Sequence, residues 1–95
     1  FIDCSSGFVV GGEKIPFGPG YQDGFAREIR SKAAIATAAV GFITKPAQAD
    51  VLIREGAADF AFLGRAMLRD PYWPLHAAQD LGAKADVPNQ YLRAY

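Results

Sequence analysis

Cysteine and histidine occur once each, as Cys4 and His76. A single cysteine excludes an internal disulfide, and the absence of a Cys/His cluster at ligand spacing leaves no metal site to argue for. Net charge is missing as well, since ten Lys plus Arg balance ten Asp plus Glu. There is therefore no electrostatic case for nucleic acid or an anionic membrane surface as partner. No apolar run approaches the length of a membrane span, and no basic-then-apolar leader opens the chain, so the expectation is a soluble, cytoplasmic protein. Cys4 reads as a small buried hydrophobe of a strand. His76, mid-helix and without an acidic or nucleophilic neighbour in sequence, reads as a surface or half-buried helix residue. No carboxylates form an evident acid/base pair, so no catalytic residue is assigned.

What is present centres on Asp59-Phe60-Ala61-Phe62-Leu63-Gly64-Arg65-Ala66-Met67-Leu68-Arg69-Asp70-Pro71. An apolar run of strand type stops at Gly64 and Arg65 and continues into one helical turn before Asp-Pro. Glycine at a strand end lets an anion approach the backbone, the N–H groups opening a helix are free donors, and Arg65 adds a planar fork of N–H groups. The pattern predicts a phosphate site. A turn glycine followed by a solvated arginine would leave the same trace. The strand-helix rhythm before it favours phosphate, because α/β barrels often bind phosphate at the loops after their last two strands.

In chain order, Phe1–Ser5 looks like a strand already under way, which points to the end of a longer protein. Ser6–Gly20 is a loop with five glycines and two prolines, in which Phe8, Val9, Val10, Ile15 and Phe17 provide packing. Tyr21, Phe25 and Ile29 predict an amphipathic helix over 21–32, weakest in its first turn at Gly24. Ala34–Val40 predicts a strand of small residues ended by Gly41, suited equally to a flat ligand or to a narrow barrel layer. Thr44 as cap and Pro46 in the first turn predict a helix with Ala49, Leu52 and Ile53 buried, ended by Gly56. Phe60–Leu63 is the third strand. Asp70 and Pro71 predict a further helix, with Trp73, Ala77, Ala78 and Leu81 on one side and Gly82 at its end. The tail, 83–95, reads as extended and suits an interface.

Three strands each followed by a helix, apolar on both faces, predict a parallel α/β sheet covered by helices. Residues 1–82 make three βα units. A three-stranded sheet with open edges lacks partners for its flanks, so the units should be an incomplete domain.

The ordered set Ile2-Asp3-Cys4-Ser5-Ser6-Gly7, Ala39-Val40-Gly41-Phe42-Ile43, Gly56-Ala57-Ala58-Asp59 with Leu63-Gly64-Arg65, and Leu68-Arg69-Asp70-Pro71 resembles the C-terminal part of the old yellow enzyme family. The closing Gln90-Tyr91-Leu92-Arg93-Ala94-Tyr95 is similar to the end of its thermophilic-like (YqjM-like) branch, with Tyr95 where relatives carry Trp. The resemblance implies strands six to eight of a TIM (β/α)8 barrel that holds FMN and uses NAD(P)H to reduce activated C=C bonds of enones. It implies that Gly41 and Phe42, through backbone N–H groups, and Gly64 and Arg65 hold the FMN phosphate, with Ser5 near the same end. It further implies a homo-oligomer in which Arg93 of the tail reaches a neighbouring subunit's active site. The residues that orient substrate and touch the flavin ring belong to earlier strands, the remainder of the barrel, so the segment alone should be inactive. Two other readings stay open: a barrel enzyme acting on a phosphorylated metabolite, and a non-catalytic barrel fragment.

Overall fold

The computed structural model describes residues 1–95. Its three parallel strands, β1 (Ile2–Cys4), β2 (Thr37–Val40) and β3 (Phe60–Phe62), lie in the order β1-β2-β3. Helix α1 (Asp23–Ala33) connects the first pair and α2 (Pro46–Arg54) the second. A five-residue helix α3 (Arg65–Arg69), a longer α4 (Trp73–Asp80) and a 3-10 turn at Asn89–Tyr91 follow. The expected alternation of strand and helix is present.

Strand register explains which side chains are inside. Cys4 faces Ala39 and Ala39 faces Ala61, and this row packs with Ala26, Ile43, Leu52, Ala57 and Ala58 in the core under the helices. The next row, Asp3, Ala38 and Phe60, points the opposite way, as side chains alternate along a strand. On that second face Phe1 packs against Phe60 and Phe62 at centroid distances of 5.2 and 5.9 Å, and all three rings remain exposed. The expectation of helices over both faces therefore holds for one face only. Cys4 is buried, and burial first, then the Asp3 charge, push its thiol pKa up, which keeps it an unreactive hydrophobe.

Several local expectations are corrected. Ala34 does not begin the second strand: it caps α1 in the left-handed region at φ 53°, its N–H donating to the Arg30 carbonyl, and the strand starts at Thr37. In α1 the buried position is Ala26, while Phe25 is exposed. A strand of small residues lets the helix backbone come close, and the Thr37 hydroxyl donates to the Ala26 carbonyl at 3.3 Å, leaving room for a methyl group but not a ring. In α2, Leu52 is buried but Ile53 is exposed, and in α4 Ala77 is buried but Leu81 is exposed. Thr44 is not a cap; Lys45 takes that position, and the Thr44 N–H donates to the Gln48 side chain. Asp70 does not cap α4: its carboxylate accepts the Tyr72 N–H in the preceding turn, and the helix opens two residues later than expected, at Trp73, with Pro74 in its first turn. The tail contains the 3-10 turn rather than being extended throughout. Val9 and Val10 are exposed instead of packed, and Phe8, though exposed, rests on Phe17 at a centroid distance of 5.9 Å.

Both predicted glycine stops end in the same motif. Gly56 donates to the Ile53 carbonyl and Ala57 to Leu52, and Gly82 donates to Gln79 and Ala83 to Ala78. These paired bonds satisfy the last helical carbonyls around a residue at positive φ.

One carboxylate ties the N-terminal edge together. Asp59 accepts two bonds from Arg30, at 3.0 and 3.1 Å, and a third from the Thr37 N–H at 2.9 Å, while its own N–H donates to the Thr37 carbonyl. Arg30 first and the Thr37 N–H second hold its carboxyl below the usual carboxylate range. Because the folded-state pKa is lowered, this contribution is complete above the unfolded value of about 4 and is lost as pH falls through the folded one. Asp59→Asn should lower the melting temperature near neutral pH and flatten its decline on acidification; acid unfolding profiles of equal slope in the two proteins would contradict the clamp.

The core is slight for the chain it must hold. Seven of the eleven buried hydrophobic residues are alanines, each contributing about 0.8 kcal/mol from its methyl group. The radius of gyration is 15.2 Å, against about 12 Å for a compact chain of this length. With both flanking strands open and an aromatic face bare, the 95 residues alone should be marginal and prone to associate. Sedimentation and near-UV circular dichroism test this, and a monodisperse monomer with fixed aromatic signals would contradict it.

A candidate anion site at the C-terminal edge of the sheet

Pairing of Val40 with Phe62 sets the C-terminal ends of β2 and β3 side by side, so the turns that follow them, Gly41-Phe42 and Gly64-Arg65, share one edge. Between these turns and the glycine-rich loop lies a cleft of about 370 Å³. Phe8, Phe17, Tyr21 and Phe42 line one side, Val40 and Phe62 come from the strands, and Gly64, Arg65 and Arg69 complete it.

Gly41 has φ 129°, and a Cβ there would stand 2.7 Å from Tyr21 Cε1 and 3.0 Å from Gln22 Nε2. Only glycine fits both the backbone and the space. Phe42 follows at φ 51°, also in the left-handed region. The N–H groups of Gly41, Phe42, Gly64 and Arg65 donate to no carbonyl or side chain of the chain. They are donors available to a ligand.

Arg65 is held over the Phe42 ring, its Cζ 5.0 Å from the centroid. Arg69, one helical turn on, lines the same cleft, and neither arginine takes part in an ion pair. No Asp or Glu lines the cleft. A chain of zero net charge thus places two uncompensated guanidinium groups beside four free backbone donors, an arrangement matched to a phosphate-type anion.

Of the residues singled out in the sequence, Gly41, Phe42, Gly64 and Arg65 come together here. Ser5 is exposed at the end of β1 and does not line the cleft; Ser6 is bonded instead, to Gln22. Arg93 is exposed in the tail and does not line it either. Sequence reasoning missed Arg69, whose i,i+4 spacing from Arg65 was the available signal. It also missed Gln22, which carried no signal because its partners lie 16 and 18 residues away. His76 has the acidic partner that its neighbours in sequence did not suggest: Asp70 Oδ2 lies 2.7 Å from Nδ1, outside the cleft.

Fold and cleft together define a segment of a parallel α/β protein that offers a glycine-turned, cationic edge to an anion. No family model matches the chain. Over 94 residues it is 51% identical to an NADPH dehydrogenase of Bacillus licheniformis and 50% identical to NADPH dehydrogenases of Geobacillus thermodenitrificans and Halalkalibacterium halodurans. These matches take in 99% of the chain and 27%, 27% and 28% of the three relatives, so the chain spans about a quarter of their length. The chain is thus similar to a segment of NADPH dehydrogenases, in agreement with the old yellow enzyme resemblance that the ordered motifs carry.

The fit at Gly41 yields a direct test. Gly41→Ala brings a Cβ against Tyr21 and Gln22 and strains the backbone, so it should destabilise the fold by about 1–3 kcal/mol. Denaturant unfolding measures this, and a loss below about 0.5 kcal/mol, the range of an ordinary surface substitution, would show that the turn relaxes freely.

Proposed function

We propose that the chain is the phosphate-holding part of an FMN-dependent NAD(P)H oxidoreductase that reduces the C=C bond of α,β-unsaturated carbonyl compounds, its three strands being the sixth to eighth of a TIM (β/α)8 barrel. The observation that carries this reading is the convergence of the Gly41-Phe42 and Gly64-Arg65 turns on one cleft lined by cationic side chains without a carboxylate. The names of the relatives support the NADPH half of the reading. The bare aromatic face of the sheet and its two open edges support a surrounding barrel. No helix of the chain is long and apolar enough to cross a membrane, and we take the whole protein to be cytoplasmic.

The residues fit a phosphate monoester. The four free N–H groups match its acceptor oxygens, and the missing side chain at Gly41 lets an oxygen reach the backbone. Arg65 and Arg69 match its two negative charges. FMN, when bound, supplies the hydride relay from NAD(P)H to the enone. This chain's own residues bind and orient: the turns hold the charged tail of the cofactor, the aromatic wall of Phe17, Tyr21 and Phe42 keeps the turns in place, and the groups that act on substrate come from the remainder of the barrel. Arg93 belongs, in this reading, to a homo-oligomer contact, entering the site of a neighbouring subunit from the exposed tail.

A charge-assisted contact to phosphate contributes about 1.5–3 kcal/mol, so Arg65→Ala in the complete protein should weaken FMN binding by roughly ten- to a hundredfold. Flavin titration reads this directly. Unchanged affinity would remove Arg65 from the site, and a colourless preparation without releasable flavin would favour a phosphorylated metabolite as ligand.

A further inference from the structure

Gln22 occupies the N-cap position of α1, yet it makes no capping bond with its side chain. It is 3% exposed, in a chain whose buried side chains are almost all apolar. Its amide is used elsewhere. Oε1 accepts from the N–H and the hydroxyl of Ser6, at the end of β1, and Nε2 donates to the Val40 carbonyl at 3.0 Å, at the end of β2. Both ends of the amide are thus satisfied, and one side chain joins the C-terminal ends of two neighbouring strands.

The bond to Val40 acts on the cleft through peptide geometry. The Val40 carbonyl and the Gly41 N–H belong to one rigid plane and point in opposite directions, so fixing the oxygen fixes the direction of the N–H. Two residues before Gln22, the Gly20 N–H donates to the Gly41 carbonyl at 3.3 Å, and this fixes in the same manner the plane that carries the Phe42 N–H. The segment that opens α1 therefore sets both donors of the first turn. Gly41 sits directly on the amide, since a Cβ there would come within 3.0 Å of Gln22 Nε2.

We propose that Gln22, itself part of the cleft lining, is a positioning residue for phosphate: with both ends of its amide engaged by Ser6 and Val40, it aims the Gly41 amide at the anion rather than binding the anion. This rests on the reading of the cleft as a phosphate site. Its consequence is selective, because an effect confined to this amide concerns ligands that carry the phosphate and not those that lack it.

The test uses the complete protein and two ligands, FMN and riboflavin, the latter identical except for the missing phosphate. Dissociation constants from flavin fluorescence are compared for the unaltered protein, Gln22→Met, Gln22→Asn and Arg65→Ala. Loss of one oriented donor set should cost about tenfold in FMN affinity and leave riboflavin affinity unchanged in both Gln22 variants. Equal losses for the two flavins would show a general structural role, and no loss for either would show no role; each overturns the proposal. Should Gln22→Met fail to fold, Gln22→Asn carries the test, since it keeps a neutral amide but is one methylene too short to reach Ser6 and Val40 together. Arg65→Ala separates the two levels of inference. If it narrows the difference between FMN and riboflavin while the Gln22 variants do not, Gln22 alone is wrong. If it leaves that difference intact, the phosphate reading fails, and the positioning role fails with it.

Discussion

The Asp59 carboxylate is the contact on which the rest of the arrangement depends. By accepting from Arg30 of α1 and from the Thr37 N–H of β2 while standing one residue before β3, it joins three elements at the N-terminal edge of the sheet. The register fixed there carries through four residues of β2 to the opposite edge, where Val40 lies beside Phe62. A one-residue slip would turn every side chain of the strand over. It would also separate the two turns that form the cleft.

At the C-terminal edge Gln22 has the corresponding task, with a neutral amide in place of an ion pair. The difference has a physical reason. A carboxylate at that edge would place a negative charge near two unpaired arginines and would compete with any anion for them. An amide links strand ends without altering the local field, so the positive potential of Arg65 and Arg69 stays available.

Much of this was legible in sequence, and what was not has identifiable causes. The alternation of elements, the glycine stops at Gly56 and Gly82 and the meeting of Gly41 with Gly64 depend on backbone rules that act over a few residues. The buried faces were misjudged where bulk was taken as the guide. Phe25, Ile53 and Leu81 are large but exposed, whereas Ala26 and Ala77 are inside; for Ala26 the reason is the small residues of β2, which let the helix backbone come close. The start of α4 was placed two residues early, since an aspartate such as Asp70 can hold a turn before a helix as well as cap it. Gln22 and the pairing of Asp59 with Arg30 depend on partners 16 to 29 residues away, and no local pattern announces them.

The lodging of Arg65 on Phe42 has a bearing on how quickly the cleft can engage a ligand. An arginine free in solvent samples many rotamers and must be ordered at the moment of capture. Here the aromatic face, itself held by Phe17 and Tyr21, already restricts the guanidinium while leaving its N–H edges open. For an anion of the proposed kind, capture would then call for little rearrangement, and its rate would be governed by diffusion and local charge, with sensitivity to ionic strength as its signature.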